Sequence, residues 1–140
     1  MKKNFLYVAL FFVAGLTFSC SSDDDNNNDI PASLAEQLIG KWEFHQEGTI
    51  DDGVEWIDDY NHLCATTKDN IEFKSNGQAT VSFYDSSCDV DTETAPFSVL
   101  NGKLTTIDGE GTAEISGNIL KFKIETSPGY GDILIFKKTN

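Results

Sequence analysis

The residues with the most distinctive chemistry in this 140-residue chain are three cysteines, Cys20, Cys64 and Cys88, and two histidines, His45 and His62. His62, Cys64 and Cys88 could together ligate zinc, which takes nitrogen and sulfur donors. One short spacing and no Cys-x-x-Cys make that a poor set, and a Cys64–Cys88 disulfide would use the same thiols. Acidic residues gather in what read as loops: Asp58, Asp59, Asp85, Asp89, Asp91, Glu93, Asp108 and Glu110. Calcium would need about six oxygen ligands, and the Asp-x-Asp-x-Asp-Gly spacing is missing; a charged rim also simply keeps a protein in solution. Trp56, Tyr60, Tyr84 and Tyr130 are expected to be partly exposed, and flat exposed rings can stack on sugars, although scattered surface aromatics are ordinary. There is no Gly-x-Ser-x-Gly, no His-Glu-x-x-His and no glycine-rich phosphate loop. No catalytic residue, cofactor or metal is therefore assigned, and the chain is not expected to be an enzyme.

The elements around these residues begin with a targeting segment. Lys2 and Lys3 precede an apolar run from Phe5 to Ala14, too short to span a bilayer as a helix, which needs roughly 20 apolar residues. Residues 1–19 read as a signal peptide. It ends in Thr17-Phe18-Ser19-Cys20, similar to a bacterial lipobox, which makes Cys20 the acylated (palmitate-type) first residue of a lipoprotein. The other reading is an ordinary signal peptide cut near Ser19, with Cys20 incidental. Residues 20–30 are polar and acidic almost throughout and cannot bury enough apolar surface to offset ordering entropy, so a disordered tether is expected. Within it Ser22, Asp23, Asp24 and Asp25 resemble the export signal that carries Bacteroidota lipoproteins to the outer face of the outer membrane. The predicted location is therefore the outer membrane, lipid-anchored and cell-surface exposed, with the membrane as the first partner.

Charge narrows the remaining partners. The net charge is −13, and loss of Lys2 and Lys3 takes the processed chain to −15; arginine is absent. Such a chain repels phosphate backbones, which argues against nucleic acid. It suits a soluble head beside an anionic surface, or one that attracts cations. With Cys20 acylated, Cys64 and Cys88 remain as a pair in an oxidising compartment.

Residues 31–140 carry the domain. A short amphipathic helix over 32–39 places Leu34, Leu38 and Ile39 on one face, and Gly40 stops it. The period then changes to two: Trp42 and Phe44, Ile71 and Phe73, Ala79, Val81 and Phe83, and Leu120, Phe122 and Ile124 alternate with polar neighbours. Nine strands are predicted, at 41–49, 53–57, 69–74, 78–84, 95–100, 103–107, 112–116, 119–125 and 132–138. Asn76-Gly77, Asn101-Gly102 and Gly117-Asn118 supply tight hairpin turns. The fold class is all-β: an up-and-down antiparallel meander of 8–9 strands closing into a small barrel, which removes exposed edges. A two-residue turn at Asn76-Gly77 makes facing residues sum to 153, and Cys64 with Cys88 sums to 152. A one-residue slip or bulge would bring them within disulfide reach at the open end of that hairpin.

Gly40-Lys41-Trp42, after a short helix and at the head of the first strand, resembles the Gly-x-Trp signature of lipocalins, and the segment from Leu38 to Lys138 resembles the lipocalin-like domains of Bacteroidota lipoproteins. The resemblance implies that Trp42 plugs the closed end of a barrel and that the interior accepts an apolar ligand, lined by Trp42, Phe44, Phe73, Phe83 and Phe122. It also implies a basic residue across the tryptophan; without arginine, Lys137 or Lys138 takes that place. So many large inward groups, Phe97 among them, could equally fill the barrel. In a meander the hairpins at 76–77, 101–102 and 117–118 share one end, and the loops at 58–68, 85–93, 108–111 and 126–130 the other. A lipocalin mouth lies at the end of the first-to-second-strand loop, which places it here among the tight turns. The expectation is a monomeric binding module for a small apolar molecule. The alternative is a surface interaction or glycan-binding module with a filled core.

Overall fold

Ser33 caps the first element of the fold. Its hydroxyl accepts from the Glu36 amide, and the Glu36 carboxylate accepts from the Ser33 amide, a reciprocal capping box that starts helix α1, Leu34–Leu38. The predicted helix over 32–39 is thus trimmed at both ends. The computed structural model describes residues 32–139; the signal peptide, Cys20 and Ser22–Asp25 lie outside the described residues.

Ten strands follow: β1 Gly40–Asp51, β2 Val54–Asp59, β3 Asn70–Phe73, β4 Gln78–Tyr84, β5 Val90–Pro96, β6 Ser98–Leu100, β7 Lys103–Thr106, β8 Gly109–Ser116, β9 Ile119–Ser127 and β10 Tyr130–Lys138. All pairings are antiparallel, each stave lies beside its sequence neighbours, and β10 closes onto β1. Two staves are broken. β2 and β3 pair with successive halves of the same edge of β1 (Asp51–Gln46, then Glu43–Gly40). β5 pairs with β4, and beyond Phe97 the same chain continues as β6 beside β7; the Phe97 amide, bonded to the Gly77 carbonyl at 2.9 Å, marks the corner. Ten strands therefore make eight staves of a nearly closed meander barrel.

The broken second stave corrects two expectations. Segments 53–57 and 69–74 were predicted as separate antiparallel strands, but they run the same way, interrupted by an excursion over residues 60–69. The excursion leaves β1 at a bulge: the ladder with β10 shifts between Phe44 and Gln46, leaving His45 as the extra, exposed residue. The gap is closed by Tyr60 N–H to the His45 carbonyl and Phe44 N–H to the Asp69 carbonyl, both 3.1 Å. The parity of the meander changes with it. The β1–β2 turn at Asp52-Gly53 lies at the end of the 85–89, 107–108 and 128–129 connections, opposite the tight turns, so the mouth is not at the end predicted. A separate correction concerns the β3–β4 turn. Lys74 and Gln78 close a three-residue loop, with Gly77 at φ 80°, and β3–β4 partners sum to 152 (Ile71 with Val81).

The closed half is solid. Leu38, Trp42, Phe73, Leu104, Leu120, Phe122 and Phe136 are buried in one cluster, with Leu34 and Phe97 against it. The Trp42 indole N–H donates to the Leu38 carbonyl at 2.7 Å, tying α1 over the end of the barrel. Lys138 takes the basic position: its ammonium lies 4.9 Å from the Trp42 ring and donates to the Gln37 carbonyl at 2.9 Å. Outside the barrel wall, Ile50, Ile133 and Ile135 form a second cluster. β2 leans over it, and Glu55 reaches Lys121 and Lys123 on β9, which holds the Glu55 carboxyl below its ordinary range. Gly48 allows that approach, because a Cβ there would collide with the Trp56 carbonyl oxygen.

Candidate functional site

Beyond the bulge the inward face of β1 changes register. Trp42 and Phe44 point into the core, but the next inward residues are Glu47 and Thr49, opposite Leu134 and Asp132 on one side and Asp58 and Trp56 on the other. Directly opposed residues of an antiparallel pair share a face. The same argument puts Asp91 and Glu93 of β5 inward, opposite Phe83 and buried Val81. The mouth half of the interior is therefore largely polar, where the closed half is apolar.

These residues line an open pocket of about 600 Å³ between Glu47, Gly48, Thr49, Trp56, Asp58, Asp108, Ile124, Asp132, Ile133 and Leu134. Small-molecule sites run to about 300–1,000 Å³. Its apolar surfaces are Ile124, Leu134 and the indole of Trp56, which is 63% exposed. Its charged groups are four carboxylates, Glu47, Asp58, Asp108 and Asp132, with the Thr49 hydroxyl beside them. Among the described residues none of the four has a salt-bridge partner. Partial burial, and secondly the negative charge of Glu93, raise the Asp108 carboxyl above its ordinary value. Among the described residues no three of His, Cys, Asp and Glu converge as metal donors.

The wall beside the mouth is braced by the excursion. Buried Asp69 accepts from the Tyr60 hydroxyl at 2.9 Å and from the Tyr84 amide at 2.7 Å. Burial first, then the bond to Asp69, drive the Tyr60 hydroxyl well above the ordinary tyrosine range. The His62 ring bridges the excursion to β1: Nε2 lies 2.9 Å from the Phe44 carbonyl, and Nδ1 lies 3.1 Å from the Asp69 amide. A Cys64–Cys88 disulfide, with Cα atoms 4.9 Å apart, fastens the excursion to the 85–89 turn.

The residues singled out in the sequence divide clearly. Trp42, Phe44, Phe73 and Phe122 are 5% exposed or less and pack within the core. Phe83, 45% exposed, stands above Phe44 at 5.6 Å. None of the five lines the pocket. Of the acids, Asp58 and Asp108 reach it; Asp59 instead meets Gln46, Glu110 meets Lys103, and Asp85 caps its own turn through the Ser87 and Asp89 amides. Sequence reasoning missed Glu47, Thr49 and Asp132.

A family model described as a lipocalin-like domain matches residues 38–128. The chain belongs to the lipocalin-like domain family. A solved structure described as a lipocalin-like protein from Bacteroides uniformis is similar over 73% of this chain and 98% of its own, at 15% identity and TM-score 0.52. At that identity the likeness speaks for the fold alone. No curated protein matches the chain. The lipocalin-like fold is typically a binding fold rather than a catalytic one.

Proposed function

We propose that this lipocalin-like protein is a lipid-anchored, outer-membrane binding module that takes a small molecule at the open end of its barrel. The observation that carries the reading is the division of the interior: a packed aromatic core under an open pocket of about 600 Å³. The deep apolar site expected from the sequence is filled by its own side chains, so the ligand sits higher, against Trp56, Ile124 and Leu134. Within the described residues the chain enters the barrel through α1 at its closed end, opposite the mouth.

Two measurements test this. Labelled palmitate incorporated by the wild type and lost in Cys20→Ala supports the anchor; no incorporation overturns it. The exported protein is then extracted with organic solvent, the extract is analysed by mass spectrometry, and the protein is titrated with a panel of small amphiphiles while tryptophan emission is followed. Trp42 is fully buried, so quenching reports Trp56. Saturable quenching that Trp56→Phe abolishes supports a mouth site. No co-purified molecule and no saturable response would favour the second reading, a surface interaction module working through exposed Trp56, Val90 and Tyr130.

A further inference from the structure

The mouth also carries information about the class of ligand. We infer that the pocket selects an organic cation, an amine or quaternary ammonium with an apolar body, over neutral or anionic molecules of the same shape; this rests on the mouth being the ligand site. The first ground is charge complementarity within a concavity of ligand size. Glu47, Asp58, Asp108 and Asp132 line it together, and among the described residues no lysine or histidine lines it and none of the four has a salt-bridge partner. Asp91 and Glu93 add negative charge to the same inner face from β5. The four carboxylates are solvent-exposed, so an anion entering the pocket meets repulsion from several sides while a neutral ligand gains nothing from their charge.

The second ground separates an organic cation from a metal ion. Ile124 and Leu134 offer apolar surface and Trp56 an exposed indole face, the ring that attracts ammonium groups most strongly. A hard metal ion has no use for such surfaces, and no cluster of three metal donors forms among the described residues. An ammonium group with a hydrocarbon or aromatic body uses both kinds of wall at once. The acids are spread over four elements, β1, β2, β10 and the β7–β8 turn, so the charge surrounds a volume rather than a point.

The test uses the exported protein, in zwitterionic nanodiscs if it carries a lipid, and a matched trio of probes: 2-naphthylmethylammonium, 2-naphthylmethanol and 2-naphthoate. Binding is followed by Trp56 quenching and by isothermal titration, with empty nanodiscs as the blank. The expected result is ammonium binding at least tenfold tighter than the alcohol, no measurable naphthoate binding, and an ammonium affinity that weakens severalfold between about 20 and 200 mM salt. Asp58→Asn with Asp132→Asn should weaken the ammonium at least tenfold. Asp59→Asn, which alters a carboxylate bonded to Gln46 away from the pocket, should leave it within twofold. Equal binding of ammonium and alcohol overturns the charge selection and leaves the mouth site standing. Saturable binding of none of the three overturns the mouth site as well.

Discussion

Breaking the Cys64–Cys88 bond is the perturbation whose size the structure sets most directly. The cysteines lie 24 positions apart, and closing a loop of that length in the unfolded chain is worth about 3.5 kcal/mol in the chain-entropy treatment. Little of this should be offset in the folded state. The 60–69 excursion keeps its own fastenings through Asp69, Tyr60 and His62, and the 85–89 turn is held by Asp85. Cys64→Ala with Cys88→Ala should therefore fold to the same barrel and unfold more easily. For a domain of this size, with a urea dependence of about 1.5 kcal/mol per molar, the midpoint should fall by roughly 2 M. The assay is equilibrium urea unfolding followed by circular dichroism and tryptophan emission, with reduced wild type as a second form expected to overlay the variant. Total stabilities of small domains run from about 5 to 15 kcal/mol, so the change is large enough to measure without ambiguity. A loss below about 1 kcal/mol with native-like spectra would refute the reasoning, because the unfolded chain would then be compact around residues 64–88 without the bond. So would faster amide exchange confined to 60–69 and 85–89 with no change in the global midpoint.

Three further outcomes follow from single contacts. Trp42→Phe removes the indole bond to the Leu38 carbonyl and the ring under Lys138, and should cost about 2–3 kcal/mol in thermal unfolding, with faster amide exchange in α1. Asp69→Ala leaves the Tyr60 hydroxyl and the Tyr84 amide without their acceptor and should cost about 2–5 kcal/mol, measured by urea unfolding; a loss under 1 kcal/mol would mean water replaces the carboxylate. Asp108→Asn should stabilise. Burial and Glu93 raise the folded-state pKa of Asp108, so its ionisation opposes folding: stability is highest below its unfolded pKa and falls as pH rises through the folded one. The gain in melting temperature should be present at pH 7 and vanish below about pH 4, the ordinary aspartate range. A variant that melts below wild type at pH 7 contradicts that account.

The sequence was readable wherever one face of a strand is apolar. Alternation around Ile71, Val81 and Phe122 located β3, β4 and β9, and Gly40-Lys41-Trp42 located the closed end. β5 begins at Val90, where a loop was predicted as far as residue 93, because Asp91 and Glu93 face an open mouth while Thr92 and Thr94 face outward. A strand solvated on both sides has no hydrophobic period to detect. The same physics hid half of the candidate site. Asp58, Asp108 and Trp56 stood out by residue type, but Glu47 and Thr49 sit at positions that alternation from Trp42 and Phe44 assigns to the outside. The bulge at His45 reverses the parity, and nothing in the letters around it marks one.

The bulge and the excursion belong to one device. An unbroken β1 would present Gln46 and Gly48 inward and send Glu47 and Thr49 to the surface. The extra residue turns Glu47 into the mouth, and the residues that cover the gap it leaves, Tyr60 and Asp69, are the two ends of the excursion. Crowding carboxylates around the mouth works against stability, since like charges repel, and burial with the charge of Glu93 raises the Asp108 carboxyl above its ordinary value. The contacts that offset this lie elsewhere: the aromatic core under Trp42 and the disulfide behind the wall. A fold under selection for stability alone would do better with neutral residues at those positions. If a cation occupies the pocket, the liganded protein recovers what the empty mouth gives up. A saturating ammonium probe should then raise the melting temperature of the wild type more than that of Asp58→Asn with Asp132→Asn, even though the variant, when empty, melts higher.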